Sequence, residues 1–308
     1  MPRSRPAIST TVRSVLALLA VRGAFGACSL LAPAVATRRA ARLFGTPRRT
    51  TRSRAAATPD GGAVRGNLDV DGRAITTYAW GDPATTPYVL LVHGWSSHGT
   101  RFLRWVERLR DAGLAVVTYD QPAHGRSEGR QSHLPDFACT LFAVVRRFGA
   151  PRAVVGHSLG GAAVAVALAR GLPADRAVLI APAADPVDAT LRFGRLVGLP
   201  ERLCRRMIAG FESAIGVPFD ALQAHRNAPW IDCPALVVHD LEDREVPWHE
   251  GERYARHWPG ARLLSTRGLG HNRIVDDAGV LDAALAFLRG DSVGERVVSS
   301  PNLPFGIA

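Results

Sequence analysis

The stretch that most narrows what this chain can fold into is Gly156-His157-Ser158-Leu159-Gly160, because of what flanks it. The β-branched run Arg152-Ala153-Val154-Val155 precedes it, and a small-residue helical stretch, 161–170, follows. Strand, then G-x-S-x-G, then helix describes a strained turn that lifts a serine hydroxyl clear of a sheet. The glycines two residues before and two after keep neighbouring side chains out of its way.

The pattern around that turn predicts an α/β fold. Residues 67–70 and 74–80 flank Asp71-Gly72, a two-residue hairpin signal. Apolar, buried-type strands then follow at 87–92, 114–119, 152–155, 176–180 and 235–238, with a short strand at 262–265. Helical patterns at 100–112, 135–148, 161–170, 248–257 and 276–288 separate them. Buried strands alternating with helices imply a mostly parallel sheet with helices on both faces, its ligands gathering at the carboxyl ends of the strands. One interval breaks the rhythm: some fifty residues between Ala181 and Cys233 carry two helical stretches, 187–197 and 200–215. So long an excursion reads as a short helical cap over the active site, with a packed surface insertion as the alternative. The expected division is a basic extension at 1–60, a main domain at 61–290 with the cap at about 184–232, and a tail at 291–308.

Charge is unevenly spread. Of 38 basic residues, all arginine, eleven precede Asp60, the first acid; beyond it 27 basic and 27 acidic residues cancel. Attraction to an anionic surface therefore belongs to residues 1–59, and a nucleic-acid partner is not expected. Arginine without lysine, in an alanine-rich chain, points to a GC-rich bacterial genome. Residues 14–36 are apolar, with Arg3, Arg5 and Arg13 before them. Arg22 splits the run, which argues against a span of about 20 apolar residues. Three readings stay open: an export signal, a basic helix on a membrane surface or on the domain itself, and a disordered extension. The expectation is a cytoplasmic protein in contact with a membrane surface through 1–59, with export as the alternative. Cys28, Cys139, Cys204 and Cys233 lie far apart without metal-ligand spacing and read as buried small hydrophobes. No metal or other cofactor is expected.

A serine hydroxyl is a weak nucleophile, so it needs a general base, and the base an orienting carboxylate. After such a turn the expected order is Ser, then Asp or Glu, then His. His271, in Gly268-Leu269-Gly270-His271 after the last strand, is the best placed of ten histidines. Asp243, in the loop after strand 235–238 and within D-x-x-V-P, is the preferred carboxylate, with Asp240 and Asp185 competing; Glu242 and Glu245 read as solvated loop charges. The backbone N–H of Leu159 can face a developing oxyanion, and a second donor is expected from the turn His93-Gly94-Trp95, with the Trp95 N–H as candidate. His93 and His157 read as structural, and the run Asp120 to Ser127 as a constructed loop.

Taken together, His93-Gly94-Trp95, the D-x-P-x-H-G-x-S run ending at Ser127, Gly156 to Gly161, Asp243-x-x-Val-Pro247 and Gly270-His271 resemble the α/β-hydrolase superfamily over residues 64–289. They look most like a bacterial serine-hydrolase branch with a short helical cap. The resemblance implies a Ser158–Asp243–His271 triad, Trp95 and Leu159 as oxyanion donors, and no cofactor. Serine at the turn departs from the aspartate of epoxide hydrolases and haloalkane dehalogenases. The expected function is hydrolysis of a small-molecule acyl ester, carboxylesterase- or lipase-like, through an acyl-enzyme. An acyltransferase using the same intermediate, or a non-catalytic binding module, is the alternative. The oligomeric state is left open.

Overall fold

The computed structural model describes residues 10–297; Arg3, Arg5 and the tail at 298–308 lie outside the described residues. In chain order the elements are α1 (Thr10–Leu31), α2 (Pro33–Phe44), α3 (Thr50–Ala57), β1 (Val64–Val70), β2 (Arg73–Trp80), β3 (Tyr88–Val92), α4 (Leu103–Asp111) and β4 (Ala115–Tyr119). They continue as α5 (Leu134–Phe148), β5 (Ala153–His157), α6 (Leu159–Ala169), β6 (Arg176–Ile180), α7 (Pro186–Val197), α8 (Glu201–Ile215), α9 (Ala224–Asn227) and β7 (Ala235–Asp240). The last are α10 (Trp248–His257), β8 (Arg262–Thr266), α11 (Gly270–Arg273) and α12 (Ala278–Arg289). They fall into two compact units, 10–45 with 186–219, and 46–185 with 220–297.

The larger unit is built on one eight-stranded sheet in the order β1-β2-β4-β3-β5-β6-β7-β8. The expected hairpin opens it: β1 and β2 pair antiparallel across Asp71 and Gly72, both at positive φ (52° and 72°), the conformation that Asp-Gly supplies most cheaply. β2 runs antiparallel to β4, and all later pairings are parallel. Every residue of β3, β4, β5 and β7 is buried, as expected of strands covered on both faces. Trp105 of α4 is fully buried and its indole Nε1 donates to the Val275 carbonyl (2.8 Å), which joins the α4 layer to the segment leading into α12. The loops after β5, β7 and β8 all leave from carboxyl ends, where Ser158, Asp243 and His271 stand.

The smaller unit is all helical and combines segments some 150 residues apart in sequence. Leu203, Cys204, Met207, Ile208 and Phe211 recur at helical spacing on the buried face of α8. Phe44 of α2 closes the same cluster, its ring 5.2 Å from Phe193 and 5.9 Å from Phe211. A Cβ on Gly194 would lie 2.2 Å from the Cys204 sulfur, so α7 and α8 approach only because that position is glycine.

Of the three readings left open for the first sixty residues, the described part fits a helical one: α1 continues past Arg22 to Leu31, Pro33 opens α2, and residues 10–57 are largely helical. One expectation needs correction. Of the four cysteines, all free, only Cys204 is buried; Cys28 and Cys233 are half-buried, and Cys139 is exposed on α5. Among the described residues, no helix is long and apolar enough to cross a membrane.

Candidate active site

Ser158 occupies the sharp corner between β5 and α6 with φ 56° and ψ −123°, a backbone conformation costly for a residue bearing a Cβ. The surrounding glycines are sterically required. A Cβ on Gly156 would meet the Gly161 Cα at 2.7 Å, and one on Gly160 would meet the Val92 carbonyl oxygen at 2.4 Å. Gly94 passes equally close, its hypothetical Cβ 2.8 Å from the Ser158 Cβ. The turn His93-Gly94-Trp95 is thereby brought beside the serine, and Leu159 begins the first turn of α6.

Three expected residues form a continuous relay. The Ser158 hydroxyl and the His271 Nε2 are 2.9 Å apart, and the His271 Nδ1 lies 2.7 Å from the Asp243 Oδ2. All three are at most 9% exposed, a degree of burial that strengthens each electrostatic contact. The other Asp243 oxygen accepts from the N–H groups of Glu245 (2.8 Å) and Val246 (2.9 Å), which explains the D-x-x-V-P spacing. Burial alone would raise the Asp243 carboxyl. Hydrogen bonding from His239, His271 and the Val246 N–H outweighs burial and holds it well below the usual carboxylate range.

The competing carboxylates lie elsewhere. Asp240 accepts from the Thr266 hydroxyl (2.8 Å), the Leu269 N–H (3.0 Å) and the Glu242 N–H (3.0 Å), pinning the loop that leads to His271. Asp185 accepts from the Gln223 amide (2.8 Å) and pairs with Arg253 (3.1 Å). Glu242 is exposed, and Glu245 meets the Asn272 amide (2.7 Å) at the surface.

A second histidine abuts the relay, and the sequence marks it only as a packing or hydrogen-bonding residue without naming its partner. The His157 Nε2–H donates to the His271 carbonyl (2.9 Å), and the two rings are 4.8 Å apart. Burial, then the charge of Arg101, pushes the His157 pKa well down, so it is a neutral imidazole with a fixed tautomer. This bond sets the backbone of His271. His157→Leu is expected to lower kcat by about 10–100-fold with KM little changed, since a misplaced base costs on that order. His157→Gln, which keeps an N–H donor, is expected to recover most of the loss, and equal rates for the two variants would refute a positioning role.

His93 and His124 are structural, as expected. The His93 Nδ1–H donates to the Gly94 carbonyl (2.7 Å), and its Nε2 accepts from the Gln121 N–H (2.9 Å). The His124 Nδ1–H donates to the Pro122 carbonyl (2.9 Å), while its ring meets Trp95 and Phe137 edge to face. The run from Asp120 is a self-bonded loop: the Asp120 carboxylate accepts from Gly99 N–H, Tyr78 hydroxyl and Arg126 N–H, and Ser127 donates to the Asp120 carbonyl. Burial pushes both histidines down to about 3. The unfolded chain, with ordinary imidazoles near 6.5, therefore binds more protons between those values, and stability rises with pH across that window. Acidification from pH 7 to pH 5 should cost about 2 kcal/mol for each. Urea unfolding at the two pH values checks this; a total loss below about 1 kcal/mol would contradict it.

With this geometry in place, the chain can be set beside known proteins. Residues 83–210 match the family model described as serine aminopeptidase, S33. The chain is 36% identical over 105 residues to a monoacylglycerol lipase of Mycolicibacterium smegmatis, covering 31% of this chain and 37% of that protein. It is 29% identical over 184 residues to the lysophosphatidylserine lipase ABHD12 of Danio rerio, covering 54% and 46%. The chain thus spans less than half the length of these curated relatives. Among solved structures, a bacterial membrane phospholipase A superposes with a TM-score of 0.59 at 19% identity, over 91% of this chain and 98% of that one, a likeness of fold. Sheet order, the serine at the β5–α6 corner and the matched family model lead to one conclusion: the chain belongs to the α/β-hydrolase superfamily.

Proposed function

We propose that the protein is a serine hydrolase that cleaves carboxylic esters through an acyl-enzyme, with Ser158 as nucleophile, His271 as general base and acid, and Asp243 as the orienting carboxylate. The observation that carries this reading is the buried relay of 2.9 Å and 2.7 Å contacts ending on a serine at positive φ. The ionised Asp243 accepts from the His271 Nδ1–H, so the Nε2 lone pair faces the Ser158 O–H. As the Ser158 Oγ bonds to the ester carbon, its proton passes to Nε2 and the carbonyl oxygen becomes an oxyanion. The backbone N–H groups of Leu159 and Trp95 are the assigned donors to that oxygen. Collapse breaks the ester C–O bond, and the departing alcohol takes the proton from Nε2. Water, deprotonated by the same nitrogen, then attacks the acyl carbon and releases the acid and Ser158.

The substrate class we favour is an ester with a fatty acyl chain, supported by relatives named as monoacylglycerol and lysophosphatidylserine lipases. Within this proposal residues 61–290 carry the catalytic region and 184–232 its cap, as the order of elements implies. Fluorophosphonate labelling followed by a chain-length series of p-nitrophenyl esters tests the reading. Covalent labelling with an optimum at medium or long acyl chains is expected. No labelling of folded protein would return weight to a binding module, and preferential transfer to added alcohol over water would reassign it as an acyltransferase.

A further inference from the structure

The helical unit carries a surface that neither the fold nor the proposed chemistry uses. Among the described residues, nine of the twelve exposed large hydrophobics lie in it: Val15, Leu16, Leu18, Leu19, Val21, Leu30, Leu31, Leu43 and Leu196. The first five fall within one stretch of α1. At 3.6 residues per turn these five leave a gap of about 140°, which the exposed Ala17 and Ala20 fill, so the stretch 15–21 is apolar around its whole circumference rather than along one stripe. A helical stretch apolar on every side cannot shed its exposure by rotating against its own unit, and such a surface is stable in hydrocarbon rather than in water.

Arg22 interrupts the apolar run for a reason now visible. Its guanidinium donates to the carbonyls of Arg195 (2.5 Å) and Leu196 (3.2 Å), closing the C-terminal end of α7, where cations are favoured. The contact anchors α1 just beyond the apolar stretch. Residues 15–21 extend about 10 Å along the axis, the depth to which interfacial helices bury their apolar side. Charge follows the same division. The described part of this unit holds ten arginines against Asp188, Glu201 and Glu212, while the rest of the described chain holds 26 against 24 acids. Arg38, Arg39, Arg202 and Arg206 are exposed.

We propose that this unit docks on an anionic lipid bilayer, with residues 15–21 entering the acyl-chain boundary and the arginines of α2 and α8 meeting anionic headgroups. The docking requires no catalytic residue and stands independently of the hydrolase reading. Co-sedimentation of the full chain with vesicles tests it. Strong binding to phosphatidylcholine–phosphatidylglycerol vesicles is expected, at least about tenfold weaker on phosphatidylcholine alone and weakened by salt. Leu16→Ser with Leu19→Ser changes only exposed side chains, 54% and 57% accessible, and is expected to cost at least about tenfold in binding. Its melting temperature and its turnover of a water-soluble ester should match wild type. Three results would overturn the proposal: no wild-type binding to anionic vesicles, equal binding by the variant, or a dimer in solution that the variant dissolves in place of any vesicle binding. Retention through alkaline extraction would replace surface docking with a spanning anchor.

Discussion

Ser158→Ala is expected to lower kcat/KM for p-nitrophenyl esters by about 10⁴- to 10⁶-fold and to abolish fluorophosphonate labelling, while leaving the fold intact. The size follows from what is removed. In the proposed mechanism the relay delivers one proton acceptor to one oxygen, and without that oxygen neither His271 nor Asp243 would have a partner on which to act, so the three would act as a unit. Residual turnover of about 10³-fold over water would survive through the oxyanion donors and binding alone. Stability should rise slightly or stay level: the serine at φ 56° gains nothing from its hydroxyl beyond the His271 contact, and alanine meets the same backbone strain. Undiminished turnover in the variant would remove Ser158 from the mechanism.

Much of this site was legible in the chain before any coordinates. The strands announced themselves because parallel strands buried on both faces must be continuous apolar runs, and 176–180 needed no adjustment at either end. The serine was legible because only glycine fits at 156 and 160, where backbone lies within 3 Å of a would-be Cβ. The choice among Asp185, Asp240 and Asp243 was legible only as a preference for Asp243 from its D-x-x-V-P context, since all three lie at or just after strand ends and the side-chain partners are what separate them. His157 reads in the sequence as a packing or hydrogen-bonding residue, but its partner is not legible there, because a donor to a backbone carbonyl 114 residues away leaves no sequence pattern. The same holds for Arg22, whose partners lie 173 and 174 residues on. Read locally it is a charge spoiling an apolar run; in the fold it closes the end of α7. The joining of the first helices to the insertion depends on contacts such as Phe44 with Phe193 and Phe211, which local periodicity cannot foresee.

Asp243→Asn is expected to lower kcat by about 10⁴-fold with little change in KM, and the structure says why an amide of the same shape should fail so badly. One carboxylate oxygen of Asp243 is held by the N–H groups of Glu245 and Val246, so an amide must place its own oxygen there and turn its NH2 toward His271. The His271 Nδ1 must then accept rather than donate, which moves the imidazole proton to Nε2, the atom that should receive the Ser158 proton. The base is present, correctly placed, and in the wrong tautomer. Asp240→Asn acts differently. It breaks part of a hold on the Leu269 N–H and the Thr266 hydroxyl, so the expected result is about 1–3 kcal/mol of lost stability with a smaller loss of rate, about 10–100-fold. Asp185→Asn, whose carboxylate engages Gln223 and Arg253, should leave kcat within about threefold. Steady-state kinetics of the three variants, each with a denaturation curve, separates these roles. A loss of about 10⁴-fold at Asp240 or Asp185, with Asp243→Asn still active, would reassign the orienting carboxylate, because only the group that fixes the tautomer of His271 can carry an effect of that size without unfolding the protein.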